Sequence, residues 1–190
     1  GLNNFKYENI DKIYITASGG PFVNLPLNNF KKIKPSQALK HPNWQMGKKI
    51  SIDSATMINK IYEVIEAKNI FNVNYKNIKI LLHSSSYVHA IIKFKNGLIK
   101  LIAHDTTMKI PIFNTLYFNQ TKKINSKEIN LQILNNLNLK SPDAQRYPMI
   151  KLLKHLPAKS SLYETVIVSA NDYLVELFLK KKIDFSSIQK

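Results

Sequence analysis

The 190-residue chain contains no cysteine. That excludes a disulfide framework, a thiolate metal centre and a cysteine nucleophile, and it is compatible with a cytoplasmic location. Long hydrophobic runs are missing too: nothing approaches the roughly 18 consecutive apolar residues of a membrane-spanning helix. There is no basic-then-apolar leader and no initiator Met before Gly1, so no signal peptide is read, and the sequence is expected to be a piece of something longer. Arginine is nearly absent, Arg146 being the single example among 28 basic residues, although the formal charge is +16. Nucleic-acid surfaces rely on Arg for bidentate and stacked contacts. Here the charge comes from Lys scattered among Asn and Ile, so it reads as codon drift, and neither a nucleic-acid nor a membrane partner is expected. Tryptophan also occurs once, at Trp44.

What is present supports a core. At 44% hydrophobic content the chain can bury one domain, or one and part of a second. Lys12–Ile15 reads as a short strand entering the turn Ser18-Gly19-Gly20-Pro21. Residues 23–40 are loop-rich, with a short helical start at Pro35. After the loop His41–Gly47 the pattern becomes helical: Asp53 or Ser54 is expected to cap a helix whose apolar stripe is Ala55, Ile58, Ile61, Tyr62 and Ile65. Ile78–Leu82, Tyr87–Lys95 and Leu98–Ala103 read as strands, with Asn96-Gly97 as a type I′ hairpin turn. Helices are expected over Pro111–Phe118, 148–156 and Ser161–Lys181. The fold class is therefore α/β (α+β): a mixed sheet with helices on one face over 1–118, a connecting region over 119–145, and part of an all-helical domain over 146–190.

Polar chemistry concentrates in the stretch His41–Glu63. His41, Ser54, Asn59, Lys60 and Glu63 combine a cation, neutral hydrogen-bond donors and a carboxylate. That mixture suits an anionic, hydroxylated ligand with a hard metal ion. Asn59 and Glu63 lie four apart on one helical face with Lys60 beside them. Trp44 and Met46, near Gly47, can form an apolar cover. Ser18, in its glycine turn, is either a self-satisfied turn hydroxyl or an anion donor. Glu63 alone cannot hold a divalent ion, and no other carboxylate stands at a metal-ligand spacing from it. His83 reads as a sheet histidine bonded to backbone, His89 as either that or a ligand, and Met108 as core.

The run His-Pro-Asn-Trp-Gln-Met-Gly-Lys-Lys-Ile-Ser-Ile-Asp-Ser-Ala-Thr-Met-Ile-Asn-Lys from His41 to Lys60, with Thr16–Phe22 and the strand carrying His89, resembles the 1-deoxy-D-xylulose 5-phosphate reductoisomerases. The resemblance extends through Met108–Ile112, Arg146-Tyr147-Pro148 and Ser169–Asp172. It implies an NADPH- and Mg²⁺-, Mn²⁺- or Co²⁺-dependent enzyme that rearranges and reduces a phosphorylated ketose to 2-C-methyl-D-erythritol 4-phosphate for isoprenoid synthesis. It further implies a cytoplasmic homodimer.

By position, the resemblance implies that Ser18, Ser54, Asn59 and Lys60 hold the phosphate, with His41 on it or on the adjoining carbons. Glu63 would ligate the metal and touch substrate hydroxyls, so that Glu63, His41 and Lys60 are the implied catalytic residues. Gly47 and Met46 would approach NADPH, with Trp44 and Met46 in a covering loop. The family's dinucleotide-binding half and its Asp-Ser-Glu segment have no counterpart here, so residues 1–190 alone are expected to be inactive. His83-Ser84-Ser85-Ser86 stands where the family has His-Pro-Gln-Ser, and Thr107 and Lys109 stand where it has Asp and Arg. The competing expectation is a basic, non-catalytic binding module, or a decaying gene piece, that retains the fold.

Overall fold

The computed structural model describes residues 9–41, 46–118, 120–159 and 161–190. Four strands form one mixed sheet: β1 (Ile10–Ala17), β2 (Ile78–Leu82), β3 (Val88–Phe94) and β4 (Ile99–Ala103), in the order β2-β1-β3-β4. β1 runs parallel to β2 and antiparallel to β3, and β3 and β4 form an antiparallel hairpin. The parallel pair needs a long crossover, which residues 18–77 supply. That crossover carries the candidate site.

Within it lie α1 (Pro35–Ala38), α2 (Lys48–Thr56) and α3 (Ile58–Phe71). Ile58, Ile61, Val64 and Ala67 recur at helical spacing on α3 and bury themselves against Ile13, Ile15, Ile78 and Ile80 on one sheet face. The later helices are α4 (Lys109–Leu116), α5 (Leu131–Asn135) and α6 (Tyr163–Leu179). A second apolar cluster joins Phe22, Phe30, Ile52 and Ala55 to Val175, Phe178 and Phe185. Residues from both ends of the chain therefore share each core cluster, Tyr147 and Ile167 entering the first.

Four local readings need correction. The site helix begins at Lys48, with Gly47 as N-cap, so neither Asp53 nor Ser54 caps it; Asp53 lies within the helix and is buried. The pattern then breaks at Met57, whose left-handed φ of 70° ends α2 and turns the chain into α3. The hairpin turn is not type I′, which needs positive φ at both central residues. Only Gly97 has it (φ 87°), and its N–H donates to the Phe94 carbonyl, the arrangement of a turn followed by a glycine bulge. Residues 148–154 form a 3-10 helix rather than an α-helix.

Candidate functional site

Ser18 follows β1, where the chain must leave the sheet and pass close to α2. Gly20 allows that approach. A Cβ there would lie 2.9 Å from the Ala55 Cα, and its φ of 68° is itself one that L-residues rarely adopt. The turn is fixed from behind by the C-terminal part of the chain. Buried Tyr147 donates its hydroxyl to the Gly19 carbonyl at 2.8 Å, and burial pushes its pKa up to about 12. Arg146 donates to the Phe22 and Leu25 carbonyls at 2.7 and 2.6 Å. The chain's single arginine is thus a structural clamp.

Across the turn, His41 Nε2 lies 3.2 Å from Ser18 Oγ and 3.1 Å from Ser54 Oγ. One imidazole nitrogen therefore gathers two hydroxyls. Burial first, and then the Lys60 charge, lower the His41 pKa and favour the neutral ring. On the first turns of α3, Lys60 Nζ sits 2.8 and 2.7 Å from the two Glu63 carboxylate oxygens, and Asn59 Nδ2 donates to one of them at 2.8 Å.

These groups line one cavity of about 430 Å³. Of the residues singled out from the sequence, it brings together Ser18, His41, Met46, Ser54, Asn59, Lys60 and Glu63, and His89 joins them. Gly47 is not among the lining residues; it caps α2 on the exposed side. Trp44 lies outside the described residues. His89 stacks on His104, with ring centroids 3.6 Å apart, and its pKa is lowered to about 4, by burial first and by His104 second. His83 is buried and bonds the Leu137 carbonyl, the structural role expected of it. Met108 is a correction: it is more than half exposed and lines the cavity instead of filling the core.

Five other lining residues were given no role of their own in the sequence: Ala17, Gly19, Ile50, Met57 and Ser86. Ser86 is buried with φ 52°, a conformation that a Ser-Ser-Ser run does not announce. Asp53 was missed in a different sense. It faces away from the cavity's hydroxyls, accepting from Lys49 at 2.7 Å and from Asn171 of α6 at 2.8 Å.

A divalent metal asks for several oxygen ligands. Glu63 is chemically suited, because its carboxylate already holds a cation, the Lys60 ammonium. Among the described residues no group of three His, Cys, Asp or Glu side chains could complete such a site. The residues present therefore fit one ligand of a metal centre.

Comparison with known proteins decides the family. A model described as the 1-deoxy-D-xylulose 5-phosphate reductoisomerase C-terminal domain matches residues 2–71, and one described as the DXP reductoisomerase C-terminal domain matches residues 105–190. The chain belongs to the 1-deoxy-D-xylulose 5-phosphate reductoisomerase family. The enzyme of that name from Pelagibacter ubique (strain HTCC1062) is 62% identical over 187 residues, which are 98% of this chain and 48% of that protein. A solved structure of the reductoisomerase from Zymomonas mobilis in complex with NADPH superposes with a TM-score of 0.86 at 32% identity, covering 97% of this chain and 47% of that one. A DOX-P reductoisomerase in complex with NADPH, fosmidomycin and magnesium gives 0.84 at 32% identity, covering 99% of this chain and 46% of that one. The chain spans about half the length of the curated relatives it matches. Among the described residues no helix is long and apolar enough to cross a membrane.

Proposed function

We propose that this chain forms the substrate-binding half of a reductoisomerase that converts 1-deoxy-D-xylulose 5-phosphate to 2-C-methyl-D-erythritol 4-phosphate. The supporting observation is the convergence of Ser18, His41, Ser54, Asn59, Lys60 and Glu63, from separate segments, on one cavity. Ser18, Ser54, Asn59 and Lys60 bind the phosphate. The positive end of the α3 dipole, where Asn59 and Lys60 lie, favours the same charge. His41, held neutral, orients the two serine hydroxyls and contacts the phosphate or the adjoining carbon. Glu63 is the carboxylate ligand that this chain contributes to a Mg²⁺, Mn²⁺ or Co²⁺ ion, and it meets the substrate hydroxyls. When bound, the cation polarises the substrate oxygens and NADPH supplies hydride. Met46, which lines the cavity, is assigned with Gly47 to the nicotinamide side, where it would exclude water from the reacting carbons; the covering role that the resemblance implies for Trp44 concerns a residue outside the described ones.

In this reading residues 1–118 are the catalytic unit, 119–145 the connection and 146–190 the start of a helical domain. The protein works in the cytoplasm as a homodimer. Support for a second copy comes from edge strand β4, where Ile99 and Leu101 share one face and are 53% and 47% exposed. Leu101→Lys in the complete protein should dissociate the dimer in sedimentation velocity; an unchanged dimer would place the contact elsewhere.

The reading is tested by following NADPH oxidation by the complete protein with 1-deoxy-D-xylulose 5-phosphate and Mg²⁺. Turnover that disappears in Glu63→Gln is expected. Binding without turnover by an intact wild type would instead favour a non-catalytic module.

A further inference from the structure

Two demands fall on Lys60, and its present position meets neither. Its ammonium lies 2.7–2.8 Å from both Glu63 oxygens. The proposed function, on which this inference rests, gives that ammonium to a phosphate and that carboxylate to a divalent cation. Mg²⁺ sits about 2.0–2.1 Å from its oxygen ligands. A metal at Glu63 would therefore share one carboxylate with the ammonium, and two like charges so placed repel strongly in a part-buried cavity.

We propose that Lys60 is an exchangeable counter-cation. A divalent metal arriving at Glu63 displaces the Lys60 ammonium toward the phosphate-binding hydroxyls, and metal and phosphate binding are coupled through this one side chain.

The local chemistry fits an exchange rather than a fixed bridge. The Lys60 and Glu63 side chains are 20% and 31% exposed, so solvent and ligand reach both. Lysine carries a compact charge on a flexible four-carbon stem, which can change partner without moving the helix. The recipient is close, because Ser18, His41 and Ser54 line the same cavity as the pair. The Asn59 amide carries two N–H donors, so one can stay on Glu63 and keep the carboxylate oriented while the other meets the phosphate as the ammonium leaves. The neighbouring pair Lys49–Asp53 shows what a fixed bridge looks like: its carboxylate is 3% exposed and is also held by Asn171.

The sign of the coupling follows directly. Either ligand, arriving first, must break the Lys60–Glu63 pair; whichever arrives second finds it already broken. Each therefore tightens the other by the same factor.

The test uses the complete protein, Mn²⁺ titrated by the EPR signal of the free ion, and methylphosphonate as a minimal phosphate-like dianion without chelating hydroxyls. In the wild type, saturating methylphosphonate should tighten Mn²⁺ binding by a factor within the usual coupling range of about 5–150-fold, with the reciprocal effect of Mn²⁺ on methylphosphonate. Lys60→Met should bind Mn²⁺ alone at least as tightly as wild type, bind methylphosphonate about 10–150-fold more weakly, and lose the coupling. Lys60→Gln serves as a second variant, and both are checked for wild-type thermal melting. Coupling that persists in either variant, or Mn²⁺ binding that weakens in both, overturns the exchange. A Glu63→Gln control separates the two levels. If it retains wild-type Mn²⁺ affinity, the metal-ligand reading itself fails. If it loses Mn²⁺ while Lys60→Met keeps the coupling, only the exchange fails.

Discussion

Asp53 and Ser54 are adjacent in α2 yet serve different parts of the molecule. Asp53 is 2% exposed and receives hydrogen bonds from Lys49 and from Asn171 on α6. Asp172 adds a second carboxylate to Lys49, and although burial works the other way, these two partners raise the Lys49 pKa. Ser54 looks into the cavity, and its hydroxyl is paired with His41 at 3.1 Å. One side of the helix is fixed by groups that are themselves fixed. The other side carries donors whose partners a ligand can replace. Comparing the two sides separates what holds α2 in place from what α2 holds. A site helix needs both, because binding groups must be positioned by a second layer before they can discriminate.

Substitutions can sharpen or break that contrast. The largest effect is expected on the cavity side. Glu63→Gln in the complete protein should lower kcat/KM by about three orders of magnitude or more while leaving the melting curve nearly unchanged, since a metal ligand contributes to charge stabilisation during the reaction. Near-normal turnover at saturating Mg²⁺ would remove Glu63 from the metal site. Next is Lys60→Ala, which should raise KM about 10–150-fold, the worth of a charge-assisted contact of roughly 1.5–3 kcal/mol. A substrate analogue lacking phosphate should show little of this penalty, and an equal penalty on both substrates would contradict the phosphate assignment.

The braced side should respond in the opposite currency. Asn171→Leu leaves the Asp53 carboxylate one donor short in a buried place, which costs roughly 1.5–3 kcal/mol of stability in denaturant titration. KM should move much less than in Lys60→Ala. If KM for substrate rises as far while stability holds, the two faces of α2 are not distinct in function.

The smallest effect concerns pH. His89 is held near pKa 4 in the fold against 6.5 unperturbed, and His41 is shifted the same way. Below about pH 6.5 the unfolded chain takes up protons that the folded state refuses, so stability is full above that pH and falls as pH drops toward 4. Denaturation midpoints across this window should show the slope, and His89→Gln should flatten it. A slope that rises toward acid would contradict the burial argument.

Much of this was legible along the chain, and the exceptions are physical. Ile78–Leu82 is a strand with the bounds its apolar run announces, and the stripe Ile58, Ile61 does bury itself. The start of α2 was misread because Asp53 and Ser54 carry the side chains that cap helices. A buried Asp whose partner lies 118 residues away looks, locally, like a cap. Ser86 was passed over because its left-handed backbone follows from a turn between strands and has no compositional mark. Met108 has the composition of core, but the residues that would cover it in a core are not placed around it.

By itself, the amino-acid order determined the periodicities, and hence the elements. It also concentrated the hydroxyls, the ammonium and the carboxylate in the stretch from His41 to Glu63, which carries the family resemblance. Only tertiary structure decided which of those groups meet. Ser18 reaches His41 across 23 residues because the β1–β2 crossover folds the glycine turn against α2, and Gly20 lets the backbones approach. The left-handed Met57 sets Ser54 and Lys60 on separate helices around one cavity, where a continuous helix would have fixed them on one rod. Periodicity is a property of neighbours in the chain, whereas a cavity is made by segments far apart in it, so its lining is settled only when they pack.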